Sequence, residues 1–396
     1  MPPGRRYGVL AGTGRILDAL QDFRFDDDDV AYLLQRGVVD EPTAQWLADY
    51  RFSGSIWGYA EGEVFFPYSP VLSVEATFGE AVVLETWVLS VLNHDSAIAG
   101  AASRMVTAAA GRPIIEMGSR RTHEESAVAA ARAAYIAGFA SSSNLAAGRR
   151  YGVPTRGTSA HAFTLVHDSE ETAFASQVAS LGRGTTLLID TFDTEEGAAR
   201  AVAAAGPELG AVRLDSGDLA EHARRVRAIL DRLGATGTRI VATGDLDEYR
   251  CQALGDAPVD GLGIGTRLVT GSGAPTAEMV YKLVARSERP AADAQLRPVW
   301  KTSESKATVG GRKAAYRALR DGRATRELVV GDRTSHQPPP EGAHRDLMVE
   351  LVRDGQPIGR RTLEEAREQH RRSLAELPAA ALLLDPGDPA IPTELV

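Results

Sequence analysis

Four short apolar runs between residues 185 and 265 set the architecture this chain can adopt. TTLLID (185–190) precedes TEEGAARAVAAAG, GAVRLD (210–215) precedes SGDLAEHARRVRAILDRLG, RIVATG (239–244) precedes DLDEYRCQAL, and DGLGIG (260–265) closes the series. Each run has the length of a strand, and each of the first three gives way to a helix-patterned segment. Strand ends at 190, 215, 244 and 265 recur at the spacing of βα units, which predicts a parallel sheet or barrel. No sequence repeat accompanies the rhythm.

The flanking regions differ in texture. Residues 1–110 mix helical patterns such as DDDDVAYLLQRG with strand-like runs such as SGSIWGYAEGEVFFPYSPVLSVEA, and read as an α+β domain. The four aspartates at 26–29 head an apolar-periodic segment, where acids cap a helix and complement its dipole. Residues 111–285 form the barrel-like domain. Residues 286–396 turn polar, with SERPAADAQLRP, KTSESKATVGGRKAAYR and HQPPPEG as surface loops and a few strands packing back on the first domain. The end, AELPAAALLLDPGDPAIPTELV, reads as a peripheral tail.

Composition narrows the partners. The 396 residues are 43% hydrophobic and 24% charged, the make-up of a globular chain of two or three domains. A net charge of −9 argues against binding nucleic acid, which draws on a concentrated basic surface. Small metabolites are the expected partners. The single cysteine, Cys251, excludes an internal disulfide and fits a reducing compartment. No apolar run approaches the roughly 18 to 20 residues of a membrane span, and the start carries no signal-peptide core, so the expected location is the cytoplasm, away from membranes.

Function in parallel β/α folds gathers at the carboxyl ends of the strands. Here those ends carry Asp190, then Arg213 and Asp215, then Gly244 and Asp245, then Gly263, Gly265 and Thr266. One such Asp reads as a helix cap. Several in register suit ribose hydroxyls and a magnesium ion, which seeks oxygen and accompanies phosphates. The glycine-rich ends ATGD and GIGTRLVTGSG bring bare backbone N–H groups to a phosphate at a helix start. Upstream, EMGSRRTHEES places Arg120 and Arg121 after a Gly turn, either as a solvated pair or as partners for phosphate or carboxylate oxygens. His161 follows GVPTRGT, read as a strand, at the start of a helix pattern; a lone His there is more often a satisfied buried imidazole than a catalyst.

GSRR, SSSN, GTSAHAF, RLDSGDL, ATGD, GIGT and the later KTSESKATVGGRKAAYR occur in the order and rough spacing of the nicotinate phosphoribosyltransferases, and the chain resembles that family from residue 1 to about 320. The resemblance implies an irregular, incomplete α/β barrel joined to an α+β domain formed by both ends of the chain. It implies a homodimer whose active site lies between the barrel and the partner subunit. The implied reaction joins nicotinate to phosphoribosyl pyrophosphate, with Mg²⁺, and consumes ATP through a phosphohistidine. Carried over, Arg213 lies against the pyridine ring and its carboxylate, Asp215 holds the ribose or its magnesium, and Asp190 helps in that cluster. Gly244, Asp245, Gly265 and Thr266 bind the 5′-phosphate, Arg120 meets a phosphate, and His161 is the residue phosphorylated by ATP. Nicotinamide-using relatives carry Asp where Ser143 aligns, so Ser143 is implied to select the acid over the amide.

Related readings share these residues. A quinolinate or nicotinamide phosphoribosyltransferase uses the same phosphate chemistry, although quinolinate enzymes have shorter chains and sites richer in basic residues. A non-catalytic phosphoribosyl or nucleotide sensor is the alternative of a different class. The start, MPPGRRYGVLAGTG, resembles the family just after a first segment bearing a T-D-x-Y-type motif, whose tyrosine resembles a lid stacking on the pyridine across the dimer interface. The expectation is therefore of a start upstream of Met1, the alternative being a protein that lacks the stacking tyrosine and the first strand of its α+β domain; without that segment, nicotinate binding weakens and a sheet edge is bared.

Overall fold

A computed structural model describes residues 1–289, 294–301, 309–331 and 342–396. Parts of the three polar stretches read as surface loops, at 290–293, 302–308 and 332–341, lie outside the described residues. The chain divides into two compact units, Met1–Ala97 with Thr276–Val396, and Ile98–Pro275. The boundaries read from the sequence, 110 and 285, fall C-terminal to these. The helix Phe78–Ala108 runs unbroken through the first of them and leaves no change of texture to mark it.

The second unit is built on six parallel strands: β1 (Ile114–Glu116), β2 (Ser141–Ser142), β3 (Thr186–Leu188), β4 (Ala211–Leu214), β5 (Arg239–Ala242) and β6 (Gly261–Ile264). Their order is β2-β1-β6-β5-β4-β3, with every pairing parallel. The sheet stays open and curls into the incomplete α/β barrel expected. All four apolar runs lie in it. Leu187, Val212, Ile240, Leu262 and Ile264 are each 0% exposed, as strands covered on both faces require.

The acids after the strands divide into two sets. Asp193, Asp218 and Asp247 cap the helices Thr194–Ala205, Leu219–Arg232 and Glu248–Ala253, each accepting a backbone N–H from the first turn at 2.8–3.0 Å. Asp190 and Asp215, closer to the strands, are left for the rim. The segment GVPTRGT is not a strand. Only Thr155 bridges, to Ser142, because Pro154 has no N–H and offers just its carbonyl, which accepts Ser142 N at 2.9 Å.

The first unit draws on both ends of the chain. Ser55–Tyr59 pairs antiparallel with Leu72–Glu75 on one side and Met348–Arg353 on the other. A second sheet orders His344–Asp346, Ala314–Arg320, Arg323–Val330 and Thr393–Leu395. Leu10, Ile16, Ile56, Leu84 and Val352 share one buried cluster. The aspartates at 26–29 act as predicted: Asp26 caps the helix Asp27–Gln35 in a capping box with Asp29. The expected peripheral tail is instead integrated. Thr393–Leu395 extends the second sheet in parallel beside Glu327–Val329, and Leu377, Ala381 and Ile391 are buried.

This unit also encloses a charge network. Arg317, fully buried, donates to Glu63 Oε1 at 2.7 Å and to Glu327 Oε2 at 3.3 Å, while Arg345 reaches both oxygens of Glu63 at 2.8 and 3.0 Å. Glu63 comes from the N-terminal part and its arginines from the C-terminal part, so the network fastens the two. Among the described residues no helix is long and apolar enough to cross a membrane.

Candidate active site

Arg213 sits near the end of β4, only 8% exposed. A buried guanidinium needs acceptors, and this one has three. Nε donates to Thr243 Oγ1 at 2.8 Å, Nη1 to Thr158 Oγ1 at 2.7 Å and Nη2 to Asp215 Oδ1 at 2.7 Å. Thr243 stands just past β5, and its hydroxyl also donates to Asp215 Oδ1. Burial alone would raise the Asp215 carboxyl, but the Thr243 hydrogen bond and the Arg213 guanidinium outweigh it and hold the group below its ordinary value. Asp215 is thus an anion at neutral pH. Sequence reading passed over Thr243 and Thr158; the available signal was their place inside ATGD and RGTSAH, beside residues already chosen.

Asp190 follows β3 by two residues. Its Oδ2 accepts Asp215 N at 2.8 Å and Ser216 Oγ at 2.7 Å, while Oδ1 is buried without a hydrogen-bond partner among the described residues. His161 opens the short helix His161–Leu165, with a side chain 40% exposed. Its Nδ1 lies 3.1 Å from Thr191 Oγ1, and its Nε2 lies 3.7 Å from Asp215 Oδ2. The structure therefore gathers His161, Asp190, Arg213 and Asp215 at the ends of neighbouring strands. His167 turns back on its own segment, with Nδ1 2.7 Å from Phe163 O.

The rim beside this cluster is bare backbone. Gly244 has φ +116°, and a Cβ there would lie 2.4 Å from Asp215 O, so the turn admits only glycine. Asp245 follows at φ 48° and is exposed. Gly265 caps the helical turn Thr266–Val269 that leaves β6. A Cβ on Gly118 would come within 3.1 Å of Gly265 O, which places the loop after β1 against the loop after β6. Arg120 is exposed in the turn Ser119–Arg121 of that loop. Ser143 follows β2 and is half-buried, its N–H donating to Glu116 O at 2.8 Å. Glu116, fully buried between these loops, was not singled out in the sequence; an acid ending the apolar run PIIE was the signal.

No group of three or more His, Cys, Asp or Glu side chains among the described residues is arranged to hold a metal ion by itself. A magnesium ion carried by a phosphorylated substrate needs less, because one or two carboxylates complete a shell made largely of phosphate and water oxygens. Asp215 Oδ2 and the unpartnered Asp190 Oδ1 fit that demand.

The family model for the nicotinate phosphoribosyltransferase (NAPRTase) N-terminal domain matches residues 1–93. Nicotinate phosphoribosyltransferase pncB1 of Mycobacterium tuberculosis is 57% identical over 406 residues, spanning 100% of this chain and 88% of that protein. Nicotinate phosphoribosyltransferase pncB2 of the same organism is 39% identical over 389 residues, spanning 96% of this chain and 81% of its own. The crystal structure of human nicotinic acid phosphoribosyltransferase superposes with a TM-score of 0.80 at 22% identity, over 99% of this chain and 91% of that one, which shows the shared fold. A chain so similar over its whole length, with a matching fold, belongs to the nicotinate phosphoribosyltransferase family.

Proposed function

We propose that this protein transfers the phosphoribosyl group of phosphoribosyl pyrophosphate to nicotinate, forming nicotinate mononucleotide and pyrophosphate for NAD salvage, and couples that transfer to ATP hydrolysis at His161. The observation that carries the reading is the Arg213–Asp215 pair, fixed by Thr158 and Thr243 and facing His161 at the carboxyl ends of the parallel strands. Its relatives' shared name supplies the substrate class.

The residue chemistry supports each step. Loss of pyrophosphate from the ribose C1 passes through an oxocarbenium-like state, and the anionic carboxylates of Asp215 and Asp190 stabilise the cation that develops there. In this reading the planar guanidinium of Arg213 meets both the pyridine carboxylate and the ring face. Ser143 donates a hydrogen bond to that carboxylate. Gly244, Asp245, Gly265 and Thr266 present backbone N–H groups to the 5′-phosphate, and Arg120 meets a second phosphate. Asp215 and Asp190 would hold Mg²⁺ together with the substrate's oxygens, and the ion would supply charge neutralisation at the phosphates. In the ATP half-reaction a neutral imidazole nitrogen of His161 attacks the γ-phosphorus in line, ADP departs, and water later takes the phosphoryl group from nitrogen. The protein works as a homodimer in the cytoplasm.

The test is incubation with nicotinate, phosphoribosyl pyrophosphate, ATP and Mg²⁺. Nicotinate mononucleotide and pyrophosphate are expected, with nicotinamide and quinolinate poor substrates; equal turnover of nicotinate and nicotinamide overturns the assignment. Label from γ-labelled ATP should enter the protein as acid-labile phosphate, vanish in His161→Ala and persist in His167→Ala. The reverse pattern moves the phosphorylated ring to His167, and no label in any of them removes the phosphohistidine.

A further inference from the structure

We propose that Glu116 is a positioning residue that locks the loop carrying Arg120 to the loop carrying Ser143, so that the two substrate-binding loops are set as one unit. Glu116 ends β1 and is 0% exposed. Its two carboxylate oxygens serve different loops. Oε1 accepts the N–H of Gly118, at the head of the turn Ser119–Arg121, and Oε2 accepts Ser142 Oγ at 2.5 Å, at the end of β2. Ser142 Oγ in turn accepts Asn144 N at 2.9 Å, and Asn144 Nδ2 crosses back to Ser119 Oγ at 3.0 Å. The backbone carbonyl of Glu116 takes Ser143 N at 2.8 Å. Four hydrogen bonds, closed by the peptide link from Gly118 to Ser119, thus join Glu116, Gly118, Ser119, Ser142 and Asn144 in one circuit.

The energetics mark this carboxyl as more than packing. Neither partner is a cation, so its burial is not repaid by an ion pair, and a buried carboxyl of that kind lowers stability relative to an apolar side chain of the same shape. Burial raises its pKa, although the Ser142 and Gly118 hydrogen bonds pull it back down. The turn it holds is tight: a Cβ on Gly118 would lie 2.2 Å from Val269 Cγ1. A group that is costly in the core yet ends a strand between two functional loops is placed where a site, and not the fold, needs it.

The inference rests on the proposed roles of Arg120 and Ser143, and the test separates the two. In Glu116→Gln and Ser142→Ala the KM values for nicotinate and for phosphoribosyl pyrophosphate should rise together, by about tenfold for the loss of one buried hydrogen bond, with a much smaller change in kcat. Ser119→Ala, which cuts only the second tie, should give a weaker version of the same pattern. Amide hydrogen exchange should quicken in both 117–121 and 142–145 of Glu116→Gln and Ser142→Ala, and stay unchanged at β4 and β5. A lower thermal midpoint with both KM values and both loops' exchange unchanged makes Glu116 purely structural and overturns the proposal, as does a change in one loop alone. If the wild-type protein turns over neither substrate, the functional reading falls, and the exchange measurement still decides whether Glu116 couples the loops.

Discussion

Asp190 accepts the backbone N–H of Asp215 at 2.8 Å, so the carboxylate after β3 fixes the position of the carboxylate after β4. The same oxygen takes Ser216 Oγ at 2.7 Å, and the second oxygen is buried without a partner. One oxygen builds the rim, and the other makes no hydrogen bond among the described residues. Asp190→Asn retains an acceptor for the backbone and replaces the free oxygen by a donor. It should leave the thermal midpoint near the wild-type value and lower kcat/KM for phosphoribosyl pyrophosphate by about 10²-fold, as removal of one preorganised electrostatic group does. Steady-state pyrophosphate release measures it; a variant as active as wild type would place Asp190 outside the reaction.

Thr243 ties Arg213 to Asp215, and its hydrogen bond is part of what holds the Asp215 carboxyl below its ordinary value. In Thr243→Val that hydrogen bond is gone while the burial remains, so the Asp215 pKa should move up. Activity that needs the Asp215 anion is lost as pH falls through that pKa. The acid limb of the kcat/KM profile should therefore shift to higher pH in Thr243→Val, and an unmoved limb would mean that Asp215 ionisation does not limit the reaction.

The proposed role of Ser143 is to donate to the carboxylate of nicotinate, which an acid at that position would repel. Ser143→Asp should lower kcat/KM for nicotinate by roughly 5-fold to 10³-fold, the effect of about 1–4 kcal/mol of like-charge repulsion at contact distance. Nicotinamide turnover should fall less or rise, so the ratio of the two rates is the quantity to measure. An unchanged ratio assigns the discrimination elsewhere.

Glu63 is buried against Arg317 and Arg345. Burial raises its carboxyl, but the two arginines more than reverse that and bring it from 4.5 down to about 2. A carboxylate depressed in the folded state stabilises fully above its unfolded pKa, and the contribution is lost as pH falls from about 4.5 toward about 2. Glu63→Gln leaves buried guanidinium charge uncompensated and should cost about 3–5 kcal/mol at neutral pH. Denaturant unfolding of both proteins across that window should show their difference shrinking as the pH drops; a constant difference would mean that Glu63 is not ionised in the fold.

The strand rhythm and the caps were readable in the sequence because both are local. Strands buried on both faces carry continuous apolar runs, and an Asp ahead of an Ala-rich segment accepts the N–H groups of the first helical turn. Arg213, Asp215 and Asp190 were picked out by their place at strand ends, which a parallel β/α fold makes its functional edge. GVPTRGT misled because its composition resembles a strand while Pro154 supplies no N–H to a ladder. The end of the chain misled in the opposite sense, since its prolines and short apolar runs carry no periodicity, yet Thr393–Leu395 completes a sheet with residues far away in the chain.

What the sequence determined by itself was therefore the class of fold, the chemistry of its rim and the family to which its motifs point. The tertiary structure alone decided which oxygen meets which donor. Thr158, Thr243 and Asp215 surround the Arg213 guanidinium from three separate segments, and Glu116 reaches Ser142 across two adjacent strands. Such partners are chosen by the order of strands in the sheet and by burial, which makes an unpaired polar group costly, and neither leaves a periodic trace along the chain.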